Sequence, residues 1–401
     1  MDQQTFAPTC PLPGELGYSL PAHYYTSPDI FEQEKRTIFA RNWICVMHRS
    51  QVAENNQYAT ASVAGENVFV VRGRDGVLRG FYNVCRHRGH ELLPCDGPAA
   101  SQSPFIACPY HSWTYGLDGR LHKVPASDRA DITPDRQAGL GLVGVAVAEW
   151  QGFVFVNADG AALPFDVYVN GLDELLAPYE LDRLVVAASH DYVMEANWKL
   201  AVENYHECYH CSTIHPELCR VSSPESGVNY NPAGMWVGGT MELLDGVETM
   251  ALDGLSRSTP IRGVTGALLR DVTYLQLFPN LLLSVHPDYV MTHVLDPVAP
   301  DRTAVVCEWL FPPEAVAREG FDPSYAVDFW DITNKQDWAA CEGVQRGVSS
   351  RGYRPGPLSP WHEDAVFQAI AIVGRAYLDG TLPTSAPAVT STRKRNDSHV
   401  R

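Results

Sequence analysis

The chain has 401 residues, 45% of them hydrophobic and 19% charged, and its 47 acidic side chains against 30 basic ones leave a formal net charge of −17. Single hydrophobic cores stop growing at about 250 to 300 residues, so this length predicts two domains. The negative charge repels phosphate backbones and anionic membrane surfaces, which excludes nucleic acid as a partner class.

No stretch reaches the roughly 18 apolar residues of a membrane span. The N-terminal MDQQTFAPTCPLPGEL has neither the basic start nor the apolar core of a secretion signal, and the reading places the protein in the cytoplasm. In that reducing compartment the ten cysteines read as buried thiols or metal ligands rather than disulfides.

In chain order, SPDIFEQEKRTIFARNW opens with Ser27 as N-cap and Pro28 at the first helical position, with Phe31, Ile38 and Phe39 on one face of an amphipathic helix. From Tyr58 to Asn157 the texture changes to short β-rich runs, several separated by Asp-Gly turns at Asp75 and Asp118, as in a small antiparallel domain. FDVYVNGLDELLAPYE then reads as helix, RLVVAASHDYVM as strand, and NWKLAVENYHECYH as helix ending before Pro216. Four further strand patterns follow, then a long helical pattern from about Tyr325 to Val348. Strands followed by helices packed on them predict an α+β second domain, and STRKRNDSHVR at the end reads as a disordered tail.

Two clusters carry chemistry. Cys85-x-His87 and Cys108-x-x-His111 each point a thiol and an imidazole at one centre from a tight loop, and the residues between them suffice to bring the loops face to face. Zinc and a 2Fe-2S cluster both suit four such donors. His90 and Cys95 lie between the pairs without repeating their spacing, and read as bystanders. The second cluster is NWKLAVENYHECYHCSTIHPELC, with Glu203, His206, Glu207, His210 and His215 in thirteen residues. On an unbroken helix His206 and His210 share a face. His210 and His215 converge only if the helix ends between them, which Ser212, Thr213 and Pro216 favour. A single Cys208-x-x-Cys211 pair without a second one is a weak zinc signal, and reads as two small buried thiols.

The form CRHRG…CPYHSWTY…DG resembles the Rieske 2Fe-2S domain of ring-hydroxylating and related Rieske oxygenases. The resemblance implies Cys85 and Cys108 on one iron and His87 and His111 on the other. NWK-x-x-x-EN-x-x-E-x-YH-x-x-x-x-H is similar to the same family's mononuclear iron segment. There it implies His210 and His215 as ligands and Glu207 as the bridge to a Rieske histidine of a neighbouring subunit, in a position where many relatives carry Asp. The third ligand, completing a facial triad of two histidines and a carboxylate, is expected at Asp337 in NKQDWAACEGVQRGVSS, with Glu342 and Asp331 as competitors on that helix. His206 reads as a packing or hydrogen-bonding residue, and Asn204, Tyr205 and Tyr209 as lining the pocket or the electron path.

The resemblance, from about Leu20 to Phe367, implies four segments: residues 1–45, an N-terminal segment whose helix packs on the catalytic part; 46–160, the Rieske domain; 161–383, a helix-grip catalytic domain in which a curved antiparallel sheet wraps a long helix; and 384–401, the tail. It further implies a head-to-tail homotrimer, mononuclear Fe(II), use of O2, and electrons from NAD(P)H through a separate reductase, since the chain shows no G-x-G-x-x-G after a strand and no flavin signature. LPAHYYTSPDIFEQEKRTIF and ECYHC…HPEL look closer to the betaine- and choline-type members than to the aromatic ring hydroxylases. The expected reaction is therefore monooxygenation or oxidative N-demethylation of a quaternary ammonium compound, with Tyr205, Trp236 and Tyr274 as candidates for a cation cage. The alternative is the alpha subunit of an aromatic ring-hydroxylating dioxygenase.

Overall fold

The computed structural model describes residues 17–94, 99–100, 104–125 and 133–379. Cys95 and the segment 384–401, expected as a bystander and a tail, lie outside them. Phe39–Ala162 forms one compact unit, and the chain before and after it, through Ile38 and from Leu163, forms the other.

Within residues 39–162, seven antiparallel strands make one sheet in the spatial order Ile44–His48, Phe153–Asn157, Gly144–Trp150, Leu78–Tyr82, Glu66–Arg72, Gln57–Val63 and Ala99–Ala100. The hairpin between Glu66–Arg72 and Leu78–Tyr82 turns at the predicted Asp75-Gly76, where Gly76 takes φ +76° and the Asp75 carboxylate accepts from Val77 N–H. A smaller sheet of Phe105–Ala107, Thr114–Gly116 and Leu121–Lys123 turns at Asp118-Gly119. Phe69, Val71, Phe81, Ile106, Trp113 and Tyr115 share one core with Cys85 and Cys108.

In the second unit α1 spans Pro28–Glu34, where the Ser27 side chain accepts from Ile30 N–H and Pro28 occupies the first turn. The expected face of Phe31, Ile38 and Phe39 is buried, although the α-helix ends at Glu34 and a wider turn carries Lys35–Phe39. Seven antiparallel strands form its sheet in the order Val185–Met194, Arg302–Phe311, Val290–Ala299, Leu281–Val285, Asp271–Leu277, Trp236–Glu242 and Val228–Asn229.

Against this sheet lie α2 (Trp198–Tyr205), the single turn α3 (Cys211–Ile214), the 25-residue α4 (Ser324–Val348) and α5 (Asp364–Asp379). The buried positions of α4 recur every three to four residues, from Ala326 and Phe329 through Trp330, Thr333, Trp338 and Cys341 to Val348. Ala326, Phe329 and Trp330 pack with Val272, Met291, Trp309 and Phe311 of the strands. Each such large side chain taken out of water contributes about 1.5 to 3 kcal/mol. The architecture is the expected α+β helix-grip, a sheet closed on a long helix. Among the described residues, no helix is long and apolar enough to cross a membrane.

One buried charge cluster fixes α2. Lys199 Nζ reaches Glu34 Oε1 at 2.6 Å, Trp198 Nε1 donates to Glu34 Oε2 at 2.9 Å, and the Tyr377 hydroxyl donates to the same carboxylate. The N-cap of α2, Asn197, accepts from Lys199 N–H and donates to the carbonyls of Tyr25 and Pro300. The helix that leads to the metal-capable segment is therefore held at its start on three sides.

Candidate metal centres and cavity

In the 39–162 unit, the Cys85–His87 and Cys108–His111 loops are each a tight turn closed by backbone bonds. Cys85 N–H donates to His90 O and Gly89 N–H to Cys85 O, while Cys108 N–H donates to Trp113 O and Ser112 N–H to Cys108 O. Gly89 sits at φ +72°, which favours glycine. Both thiols are 3% exposed, and burial pushes that of Cys85 up, with Cys108 acting in the same direction. Tyr115 places its hydroxyl 3.3 Å from Cys85 Sγ. The His87 and His111 rings lie 4.7 Å apart, His87 stacks on Trp113 at 4.8 Å, and His111 Nδ1 is buried without a hydrogen-bond partner. Two close thiols and two neighbouring imidazoles, one with an orphaned buried nitrogen, fit a 2Fe-2S cluster, whose iron would turn the thiols into thiolates.

In the other unit, the helix predicted through His210 stops earlier. α2 ends at Tyr205, and His206 leaves it at φ −92°, ψ 8°, its ring bonded to Gln276 Oε1 at 2.9 Å in the interior. His206 is thus a hydrogen-bonding core residue. His210 and His215 are the N-cap and C-cap of the one-turn α3, and this lets two histidines five apart meet. Their Nε2 atoms are 3.2 Å apart, and Asp337 Oδ1, from the middle of α4, lies 2.9 Å from His215 Nε2 and 3.5 Å from His210 Nε2.

The outer nitrogens settle the tautomers. His210 Nδ1 lies 2.5 Å from Glu207 Oε1 and His215 Nδ1 2.7 Å from Gln336 Oε1, so both Nδ1 atoms donate and both Nε2 atoms carry lone pairs. Two imidazole lone pairs and a carboxylate oxygen converging within 4.8 Å repel one another unless a cation lies between them. Without a metal, a proton serves instead. Burial would lower His210, but its hydrogen bonds to Asp337 and Glu207 raise it to about 9, and burial would raise Asp337, yet the two histidines hold it below the usual carboxylate range. Of the competitors, Glu342 accepts from Glu195 N–H and Asp331 from Tyr192 and Lys335, away from the histidines.

The triad opens into a cavity of about 1210 Å³, counting its solvent-open mouth, which Asn204 and Tyr205 line. Its wall carries a chain of rings: Tyr205 and Tyr274 at 6.0 Å, Tyr274 and Trp330 at 6.4 Å, Tyr205 and His293 at 6.3 Å, His293 and Trp338 at 5.8 Å. The expected trio is therefore corrected at one position. Trp236 does not line the cavity, because its indole N–H is drawn to Asn170 O. Trp330 and Trp338, whose signal was hidden in the apolar pattern of α4, take its place.

A second correction concerns Cys208 and Cys211. They are not separate thiols but a disulfide with Cα atoms 4.9 Å apart, brought together by the turn in which Cys211 N–H donates to Cys208 O. Gln336 was missed altogether. It adjoins Asp337 in sequence, and successive helical positions point about 100° apart, so periodicity does not reveal that both reach the same histidine.

Residues 42–146 match the family described as Rieske [2Fe-2S] domain, and residues 181–377 match Ring hydroxylating alpha subunit (catalytic domain). The chain belongs to the Rieske non-haem iron oxygenases, as an oxygenase component that works with a 2Fe-2S cluster and mononuclear iron. Among curated proteins it is 32% identical to the glycine betaine monooxygenase oxygenase subunit of Chromohalobacter salexigens, over 88% of this chain and 84% of that one. It is 35% identical to the carnitine monooxygenase oxygenase subunit of Escherichia coli K12, over 86% and 88%. A solved quaternary ammonium Rieske monooxygenase in complex with L-carnitine superposes with a TM-score of 0.75 at 29% identity, covering 90% of this chain and 96% of that one. Naphthalene 1,2-dioxygenase, at 21% identity and a TM-score of 0.72, shares the fold.

Proposed function

We propose that this oxygenase component hydroxylates an N-methyl group of a quaternary ammonium compound, with loss of that carbon as formaldehyde, using O2 and electrons passed from NAD(P)H by a separate reductase. The observation that carries the reading is the run of aromatic rings lining the cavity that the His210–His215–Asp337 triad opens into. Electron-rich rings attract a desolvated cation by about 0.5 to 2 kcal/mol each, and the carboxyl side chains of Glu207 and Asp364 line the same cavity. The monooxygenases of glycine betaine and carnitine among its relatives support the same substrate class.

In this reading Cys85 and Cys108 hold one iron of the cluster and His87 and His111 the other, while His210, His215 and Asp337 hold the mononuclear iron, which supplies oxygen activation when bound. Glu207 fixes the His210 tautomer and joins it to a Rieske histidine of the adjacent subunit in a homotrimer. Gln336 orients His215. Tyr205, Tyr274 and Trp330 seat the ammonium group, and Asn204 adds a polar edge to the pocket.

The test is NADH-dependent oxygen uptake with a surrogate reductase, comparing glycine betaine, carnitine and proline betaine with benzoate-like aromatics and measuring formaldehyde. Coupled uptake with formaldehyde release is expected from at least one ammonium compound. Coupled turnover of an aromatic and of no ammonium compound overturns the reading in favour of ring hydroxylation.

A further inference from the structure

Cys208 and Cys211 stand on either side of His210, and among the described cysteines they alone line the cavity that holds the triad. The other six described cysteines remain thiols: Cys85 and Cys108 in the paired loops, Cys45, Cys307 and Cys341 buried in the core, and Cys219 packed below α3 with its thiol against Cys211 O. Two thiols held on one turn, beside a centre that reduces oxygen, have no part in binding iron or substrate as described above.

We propose that Cys208 and Cys211 are a reversible dithiol that consumes hydrogen peroxide released in the cavity when reduced oxygen fails to react with substrate. This rests on the iron assignment made above. One thiol attacks peroxide, breaking the O–O bond, releasing one water and becoming a sulfenic acid. The second thiol displaces the hydroxyl as a second water, and the S–S bond forms. Each sulfur loses one electron, the two peroxide oxygens gain the pair, and both thiol protons leave in water. Closure is fast because the turn holds the second thiol within bonding reach. Cellular dithiols restore the pair by exchange.

The placement explains what the reaction protects. His210 has its ring at the triad and lies between Cys208 and Cys211 in sequence, and all three line the same cavity, so peroxide released there meets the cysteines as well as the imidazole. A thiol pair that reacts first and is regenerated spares a ligand whose oxidation is irreversible.

The experiment uses the metal-loaded full chain, reduced and then freed of reductant. One arm receives a few equivalents of hydrogen peroxide alone. The other turns over glycine betaine with NADH and the surrogate reductase until NADH consumed exceeds formaldehyde formed. Alkylation after unfolding, followed by peptide mass spectrometry, reads the thiols. In both arms the peptide carrying Cys208 and Cys211 is expected to lose both alkylation sites, in step with the excess of NADH over formaldehyde in the second, while Cys45, Cys307 and Cys341 stay alkylatable. In the Cys208→Ser/Cys211→Ser variant the His210 peptide should gain oxygen roughly three-fold faster or more.

Both cysteines remaining alkylatable in the peroxide arm, or equal oxidation of the His210 peptide in wild type and variant, overturns the proposal. Absence of any NADH oxidation counts against the oxygenase reading instead, and the peroxide arm on the wild-type chain then decides this one.

Discussion

Glu203, on the last turn of α2, has its carboxyl pushed up to about 7 by burial, despite the hydrogen bond it accepts from Tyr25 and the nearby Lys199. A raised acid binds more protons in the folded than in the unfolded chain between its ordinary value and about 7. Its contribution to stability is therefore complete below the ordinary value and is lost as pH rises through about 7. Glu203→Gln imitates the protonated form and keeps an acceptor for Tyr25. Between pH 5 and pH 8, roughly, the wild type should lose melting temperature relative to this variant, as read by paired thermal denaturation, and a constant difference would refute the assignment. At this scale the donors themselves were plain in the sequence: cysteine and histidine at short spacing have few other uses. What was hidden are the groups that act through orientation. Gln336 and the rings of Trp330 and Trp338 become part of the site only because α4 presents them to the sheet's interior, and no local pattern separates a core tryptophan from one lining a cavity.

The elements were legible where their period is long. The 25 residues of α4 begin one position before the expected Tyr325 and end at the expected Val348, since a helix of that length repeats its buried face often enough to be unmistakable. α2 was overextended by five residues, because the break at His206 is imposed from outside, by Gln276 of a neighbouring strand drawing the imidazole inward. The Glu34–Lys199 pair was likewise invisible, its partners lying 165 positions apart. It is the contact on which α1, α2 and α5 converge. Removing the carboxylate by Glu34→Ala leaves Lys199, 2% exposed, as a buried cation without its hydrogen-bonded partner, and burial already lowers its affinity for protons. The expected cost is about 3 to 5 kcal/mol, read as a fall in the urea midpoint with the slope unchanged. Methionine at both positions should cost much less, and equal losses in the two variants would show that the ion pair is not what matters there.

For the whole molecule, the order of two motifs was enough to foresee a β-rich electron-transfer unit followed by a catalytic α+β unit, because each motif carries its own fold. The assembly is a different matter, since a subunit contact leaves no periodic mark on one chain. The proposed head-to-tail trimer nevertheless makes a quantitative demand. If the electron leaves the Rieske centre of one subunit for the iron of the next, then a subunit lacking His87 can accept but not donate, and one carrying Asp337→Ala can donate but not use what it receives. Each homotrimer alone should be inactive, the first through loss of the Rieske absorbance and the second through loss of mononuclear iron only. Co-expressed in equal amounts with separate tags, the unselected mixture should recover about a quarter of wild-type turnover, and trimers carrying both tags about a third, the fraction of contacts in a heterologous ring that pair an intact donor with an intact acceptor. Transfer confined to one subunit predicts no recovery at any mixing ratio, because no chain then holds both centres. Purification through both tags, with iron and acid-labile sulfide counted per trimer, separates that outcome from a failure of the chains to mix.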